Sequence, residues 1–364
     1  MSTLVDTSRA LLLSTTLLSA SLAGTAANAA EWGDALQASI QKLDKETPGT
    51  FGLYIKRLDN GETFKYQADR HWYLGSTVKV PIALAVLQEM EAGKIGMNNK
   101  IVLEETDKID GSGGTVWQES GDSFSVETLL ENMLMKSDNT AANLLIRAIG
   151  HETVDKRAKG YLAGGSLKGI TDFCAVRYDV YSELHPSARK LSNLDLVKLA
   201  AAPLGPQRVT AFRKMASLEQ SELKVATIDE AYDRYYARDL NATTLTAYGG
   251  MLENMVKGKF VSDEHRTFMF KNLKYDSYDA YRLEAGLPRT VRFIHKTGTQ
   301  YRRACHMGVI DPQDGARNAI VVVSCAENMD EHGEAAPLFE KIGKAITQTM
   351  LKDRPATVAQ AGTK

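Results

Sequence analysis

The stretch Leu74-Gly75-Ser76-Thr77-Val78-Lys79-Val80-Pro81-Ile82-Ala83-Leu84-Ala85-Val86-Leu87-Gln88-Glu89-Met90-Glu91-Ala92-Gly93 decides how the rest of the chain is read. It predicts a helix that opens near Ser76 and stops at Gly93, with Pro81 early enough to be tolerated. Ser76 follows Gly75 at the helix mouth, where free N–H groups and the helix dipole favour developing negative charge. Lys79, one turn on, shares its face. A serine hydroxyl is a weak nucleophile until a base takes its proton. A lysine is that base only when burial and a neighbouring cation depress its pKa. Taken singly, Ser76 reads equally as an N-cap and Lys79 as a solvated helix residue. S-x-x-K spacing also occurs at Ser39/Lys42, Ser187/Lys190 and Ser221/Lys224, so spacing alone selects nothing.

Two tripeptides downstream each occur once. Ser137-Asp138-Asn139 lies between two apolar-periodic helices, Val126–Lys136 and Asn139–Ile149, and either Asp138 or Asn139 can simply cap the second. In a catalytic reading Ser137 relays a proton to the leaving group, while Asn139 fixes a substrate amide and Lys79. Lys296-Thr297-Gly298 ends a predicted strand, Val291–Thr297. Its lysine is a candidate for the cation beside Lys79, its threonine can bind a carboxylate, and its glycine lets a substrate backbone approach closely. An oxyanion hole would draw one N–H from Ser76 and one from a strand edge.

Working outward, Phe51–Leu58 alternates and turns at Asp59-Asn60-Gly61 into Thr63–Gln67. Further helices are expected at Leu191–Ala202 and Thr244–Lys257, then strands at Ala304–Ile310 and Ala319–Cys325 and a final amphipathic helix, Pro337–Leu351. Strands at both ends with helices between predict an α+β fold: an antiparallel sheet formed by both chain ends, flanked by helices, with a mostly helical lobe. Residues 165–241 give no clear element order.

The chain has 364 residues, 43% apolar and 24% charged, with a net charge of −1. That composition excludes a disordered or collagenous chain and argues against a nucleic-acid partner. Ala10–Gly24 is a short apolar run behind Arg9, and Ala27-Asn28-Ala29 supplies small residues for cleavage. Residues 1–29 are therefore expected to be a signal peptide, leaving a secreted or periplasmic chain with no membrane partner. Residues 30–351 form the expected domain and 352–364 a polar tail. Cys174, Cys305 and Cys325 make an odd set. A simple hairpin register staggers Cys305 and Cys325, so thiols are expected. No cysteine or histidine cluster has metal spacing and no glycine-rich phosphate loop is present, so neither metal nor cofactor is expected. His71, His151, His185, His295 and His306 read as structural, and Trp117 as either a cleft wall or a core aromatic. Nothing in the pattern sets an oligomeric state.

The three motifs in this order resemble those of the penicillin-recognising serine hydrolases, the class A β-lactamases and related DD-peptidases. The resemblance runs from about Phe51 to Leu351. It implies Ser76 as the acylated nucleophile, Lys79 as proton acceptor, Ser137 as proton shuttle and Lys296 as anion holder. Asn139, Thr297, Gly298 and Thr299 would line the substrate, a small β-lactam or a peptide, and Arg302 or Arg303 would pair its carboxylate. The departure lies between the second and third motifs, 159 residues apart, about fifty more than in typical class A enzymes. Those enzymes place a deacylating water with a glutamate and an asparagine four residues later. No such pair occurs in 165–241, where Glu183 and Glu230 are the candidate bases.

Overall fold

Alternation along β1 (Thr50–Arg57) sends Phe51, Leu53 and Ile55 to one side and Tyr54 to the other, all buried. A strand buried on both faces needs a layer on each side, and the fold supplies them. The computed structural model describes residues 20–274 and 280–352. Most of the expected leader (1–19) and the tail (353–364) lie outside the described residues.

The N-terminal strands are β1 and β2 (Thr63–Tyr66). Two short ladders in the helical lobe pair β3 (His71–Tyr73) with β6 (Ala242–Thr244) and β4 (Lys100–Val102) with β5 (Ser123–Ser125). The C-terminal strands are β7 (Phe293–Gln300), β8 (Arg303–Ile310) and β9 (Ile320–Glu327). The main sheet is antiparallel in the order β2-β1-β9-β8-β7, so both chain ends build it as expected and β7 is left at an edge.

Helix α1 (Ala20–Glu46) joins one face of the sheet through Trp32, Leu36, Ile40 and Leu43. The lobe on the other face begins with α2 (Lys79–Glu91), α3 (Val126–Met135), α4 (Asn139–Ile149) and α5 (His151–Tyr161). The illegible stretch is helical too: α6 (Phe173–Leu184), α7 (Asn193–Leu199), α8 (Pro206–Ala216) and α9 (Ile228–Ala237). These four share their own apolar cluster, built on Val180, Leu184, Leu196, Phe212 and Tyr235. Helices α10 (Leu245–Val256) and α11 (Asp263–Asn272) return to the sheet, and α12 (Ala336–Ile346) packs beside α1. Ser125, Asp138, Asp172, Thr227 and Thr244 each accept the N–H of the third residue on, capping α3, α4, α6, α9 and α10.

Two strand expectations need correction. Strand β7 does not end at Thr297 but continues to Gln300, so Gly298 and Thr299 lie within the ladder opposite Cys305 and Ala304. The cysteines are not thiols either: Cys305 and Cys325 form a disulfide. A hairpin closed at Ile310 and Ala319 would set Cys305 opposite Ser324. Instead Ile310 pairs with Ile320, and that one-residue shift brings the two cysteines face to face. Cys174 remains a buried thiol.

The bridge closes a loop of sequence separation 20, for which chain entropy gives about 3 kcal/mol. Urea unfolding of the Cys305→Ala/Cys325→Ala protein should show a loss of about that size. An unchanged midpoint would show that the bridge contributes nothing to stability.

Candidate active site

The turn that carries Ser76 follows β3 directly. Gly75–Val78 forms a tight helical turn that runs into α2, and Gly75 takes a positive φ of 54°. A Cβ on Gly75 would lie 2.8 Å from the Thr299 nitrogen, and one on Gly298 would lie 2.2 Å from the Leu74 oxygen and 3.1 Å from the Ser76 nitrogen. Two missing side chains thus let the turn and the edge of β7 touch. The contact brings the backbone nitrogens of Ser76 and Thr299 to one corner, as an oxyanion hole requires.

Lys79 is fully buried at the start of α2. Its Nζ lies 3.1 Å from Ser76 Oγ and donates to the Ser137 carbonyl at 2.5 Å and Asn139 Oδ1 at 2.6 Å. Ser137 Oγ is 3.2 Å from Lys79 Nζ and 2.9 Å from Lys296 Nζ. A continuous path therefore links Ser76, Lys79, Ser137 and Lys296. Burial first, then the charge of Lys296, holds the Lys79 amine well below the usual lysine range. Lys296, buried and then opposed by Arg282, is pushed down to about 7.

Ser137 enters this path because it takes a left-handed conformation, φ 55°, between α3 and α4. Asp138 is structural: one oxygen caps α4 at Ala141 and the other accepts the Thr115 N–H. Asn139 is pinned from behind, its Nδ2 donating to the Asp110 carbonyl at 2.9 Å. Thr115 thus ties the loop carrying Trp117 to α4, yet Trp117 itself is 74% exposed and is no core aromatic.

The expected carboxylate-binding arginines are placed elsewhere. Arg302 takes a positive φ at the β7–β8 turn and pairs with Asp233 of α9 at 2.5 Å. Arg303 pairs with Glu327 at 3.2 Å and lies over the Tyr236 ring. The cation behind this part of β7 is Arg282, which sequence reasoning missed because no local motif marks it. It is buried, donating to the Gly298 and Cys305 carbonyls at 3.1 and 2.7 Å and to Thr299 Oγ1 at 2.8 Å. Glu331 accepts from both Arg282 and Thr299. Thr297 is buried beside them on β7.

The candidate bases fare no better. Glu230 pairs with Arg234 along the exposed side of α9, and Glu183 lies in the last turn of α6 away from the cleft. Among the described residues no carboxylate lines the cleft at Ser76. The Phe173 ring instead stands 4.4 Å from Lys79 Nζ, and Arg177 follows one turn later on α6. In the sequence Asp172 marks the start of this helix, accepting the Ala175 N–H as its cap.

A serine whose proton has a buried route through two lysines, set where such a sheet meets such a lobe, defines a serine hydrolase of the β-lactamase type. Known proteins agree. Residues 35–350 match the model of the Beta-lactamase enzyme family, and the chain belongs to that family. It is 29% identical to β-lactamase VEB-1 of Pseudomonas aeruginosa over 32% of this chain and 40% of that protein. It is 22% identical to β-lactamase CTX-M-97 of Escherichia coli over 79% of this chain and 80% of that one. Among solved structures it superposes on a PBP-A variant in an acyl-enzyme complex with penicillin-G, at TM-score 0.64, 16% identity and 88% and 97% coverage. A β-lactamase from Sphaerobacter thermophilus gives TM-score 0.62 at 22% identity, with 88% and 98% coverage.

The buried lysines make stability depend on pH. Folding depresses their pKa values, so between about 7 and the unfolded value near 10 the unfolded chain holds more protons and stability rises with pH. Lys296→Met should flatten that rise between pH 7.5 and 9.5, by at most about 1.4 kcal/mol per pH unit. Equal slopes for the two proteins in urea unfolding would place Lys296 in water.

Proposed function

We propose that this chain is an exported serine enzyme, acylated on Ser76 by β-lactams or related amides, whose acyl-enzyme hydrolyses slowly. The observation that carries this reading is the unbroken path from Ser76 through Lys79 and Ser137 to Lys296, with an aromatic ring where a water-activating base would stand. Ser76 Oγ attacks the carbonyl carbon as its proton passes to the neutral Lys79 amine. The Ser76 and Thr299 N–H groups steady the oxyanion. The C–N bond then breaks while Ser137 hands its proton to the departing nitrogen and regains one from Lys79. Lys79 ends neutral, and the product is a Ser76 ester.

Hydrolysis of that ester needs an activated water. General-base catalysis is worth about two to four orders of magnitude, and the Phe173 ring offers no such base. Acylation needs nothing from that wall. The same geometry supports a second reading, a DD-peptidase acting on peptidoglycan stem peptides, in which a persistent β-lactam adduct would be a side reaction. Export rests on residues 1–29, where a short apolar run behind Arg9 and small residues at Ala27-Asn28-Ala29 fit a cleaved leader. No helix among the described residues is long and apolar enough to cross a membrane.

Mixing the mature protein with a chromogenic cephalosporin should give a stoichiometric burst of colour and an adduct that persists in the intact mass. Ser76→Ala should give neither. Rapid steady turnover by the unmodified protein would overturn the slow-hydrolysis reading, and a lack of any adduct would overturn acylation. Phe173→Glu should shorten the adduct's life by about two orders of magnitude or more. Release of D-alanine from a stem peptide would decide for the peptidase.

A further inference from the structure

Two arginines flank Ser76, and they differ in what their donors are doing. Arg282, behind β7, spends both Nη groups on the Gly298 and Cys305 carbonyls, Thr299 and Glu331. Arg177, on the opposite wall, donates only its Nε, to Asp110 at 2.8 Å. Among the described residues neither of its Nη groups has a protein acceptor, and its side chain is 14% exposed and lines the cleft with Ser76. Burial is the largest influence and opposes its charge, but the Asp110 contact and the neighbouring Tyr232 and Tyr181 together outweigh it, so the guanidinium stays ionised. The other polar groups lining this wall, among them Ser112, Asn139, Thr171 and Asn241, are neutral. Arg177 is thus the charged side chain among the described lining residues, with Asp110 behind its Nε.

The reaction fixes which part of a substrate meets Arg177. Ser137 Oγ, which protonates the leaving nitrogen, lies between Lys79 and Lys296. The leaving group thus points toward Lys296 and β7, and the acyl group points away from them, toward Asn139, Phe173 and Arg177. We infer that Arg177 is a specificity-determining residue that selects substrates whose acyl group carries a carboxylate near the scissile carbonyl. A planar guanidinium with two open Nη groups in a partly desolvated cleft can grip a carboxylate through paired, charge-assisted hydrogen bonds. It repels an ammonium placed at the same point. This rests on the acyl-enzyme reading above.

Three penicillins differ at one carbon of the acyl side chain and test the point directly: carbenicillin carries a carboxylate there, benzylpenicillin a hydrogen and ampicillin an ammonium. Second-order acylation rates, read from intact mass, should fall in that order, with carbenicillin about tenfold ahead of benzylpenicillin. Arg177→Gln should bring the carbenicillin-to-benzylpenicillin ratio close to one, and Arg177→Lys should keep the order with a smaller spread. The ratio is the readout because Arg177 also acts on Lys79, which alters all three rates together. The inference fails if the unmodified protein takes carbenicillin no faster than benzylpenicillin, a result that needs no variant to fold. It fails equally if Arg177→Gln leaves the ratio unchanged. If the unmodified protein takes none of the three, the acyl-enzyme reading falls and this inference with it.

Discussion

The burial of the Lys79 amine is the constraint on which the rest of the site depends. An unpaired ammonium in a protein interior costs several kcal/mol, so such a group survives by losing its proton or by being fully hydrogen-bonded. Here the Ser137 carbonyl, Asn139 and two hydroxyls surround it, and burial favours the neutral amine. The same burial that makes the lysine costly to charge leaves its amine able to take up a proton. Helix α2 enforces it, because every residue from Lys79 to Leu87 is buried and the helix cannot turn the amine toward water.

The partners of Lys79 come from distant parts of the chain, and glycines and unusual backbone conformations let them meet. Gly75 and Gly298 bring the Ser76 turn against β7, while Ser137 reaches the path through a left-handed φ. Strand β7 serves two sides at once. Lys296 reaches Ser137 and Gly298 meets the Ser76 turn, whereas His295 is buried in the layer beneath and exposed Thr299 lines the cleft while accepting from Arg282. There His306 Nδ1 accepts the Leu283 N–H and its Nε2 lies 2.8 Å from His295 Nδ1, which ties the segment carrying Arg282 to β7 and β8. Burial disfavours a charged His306, and both histidines are buried.

Residues of the 165–241 stretch form the wall of the cleft opposite β7. Helix α6 presents Phe173 and Arg177 to the cleft, and α9 lies along the β7–β8 turn. Tyr232 bonds to Gln300, Tyr236 to the Tyr301 carbonyl and Arg302 to Asp233. Arg302 thus ties the β7–β8 turn to α9 through Asp233. A nucleophilic site held by the sheet and α2 is combined with a wall that carries no water-activating carboxylate.

Local chemistry was legible in the sequence where a short pattern implies its own geometry. The helix after Ser76 followed from its apolar run, the one-turn spacing placed Ser76 and Lys79 on one face, and alternation gave the strands at both chain ends. The three motifs, with their order, named the four residues that meet around Lys79. What depended on long-range register or on which element covers which was not legible. A single-residue shift between β8 and β9 turned two expected thiols into a bridge, and a turn with positive φ sent Arg302 outward while Arg282 arrived from an unmarked segment. Asp172 and Thr227 cap α6 and α9, but the order of elements in 165–241 was not legible, and no local signal says that α6 faces Ser76. Sequence by itself determined the reactive groups, because proximity along one helix is a local property. Only tertiary structure decided what surrounds them, because a wall is set by packing between segments far apart in the chain.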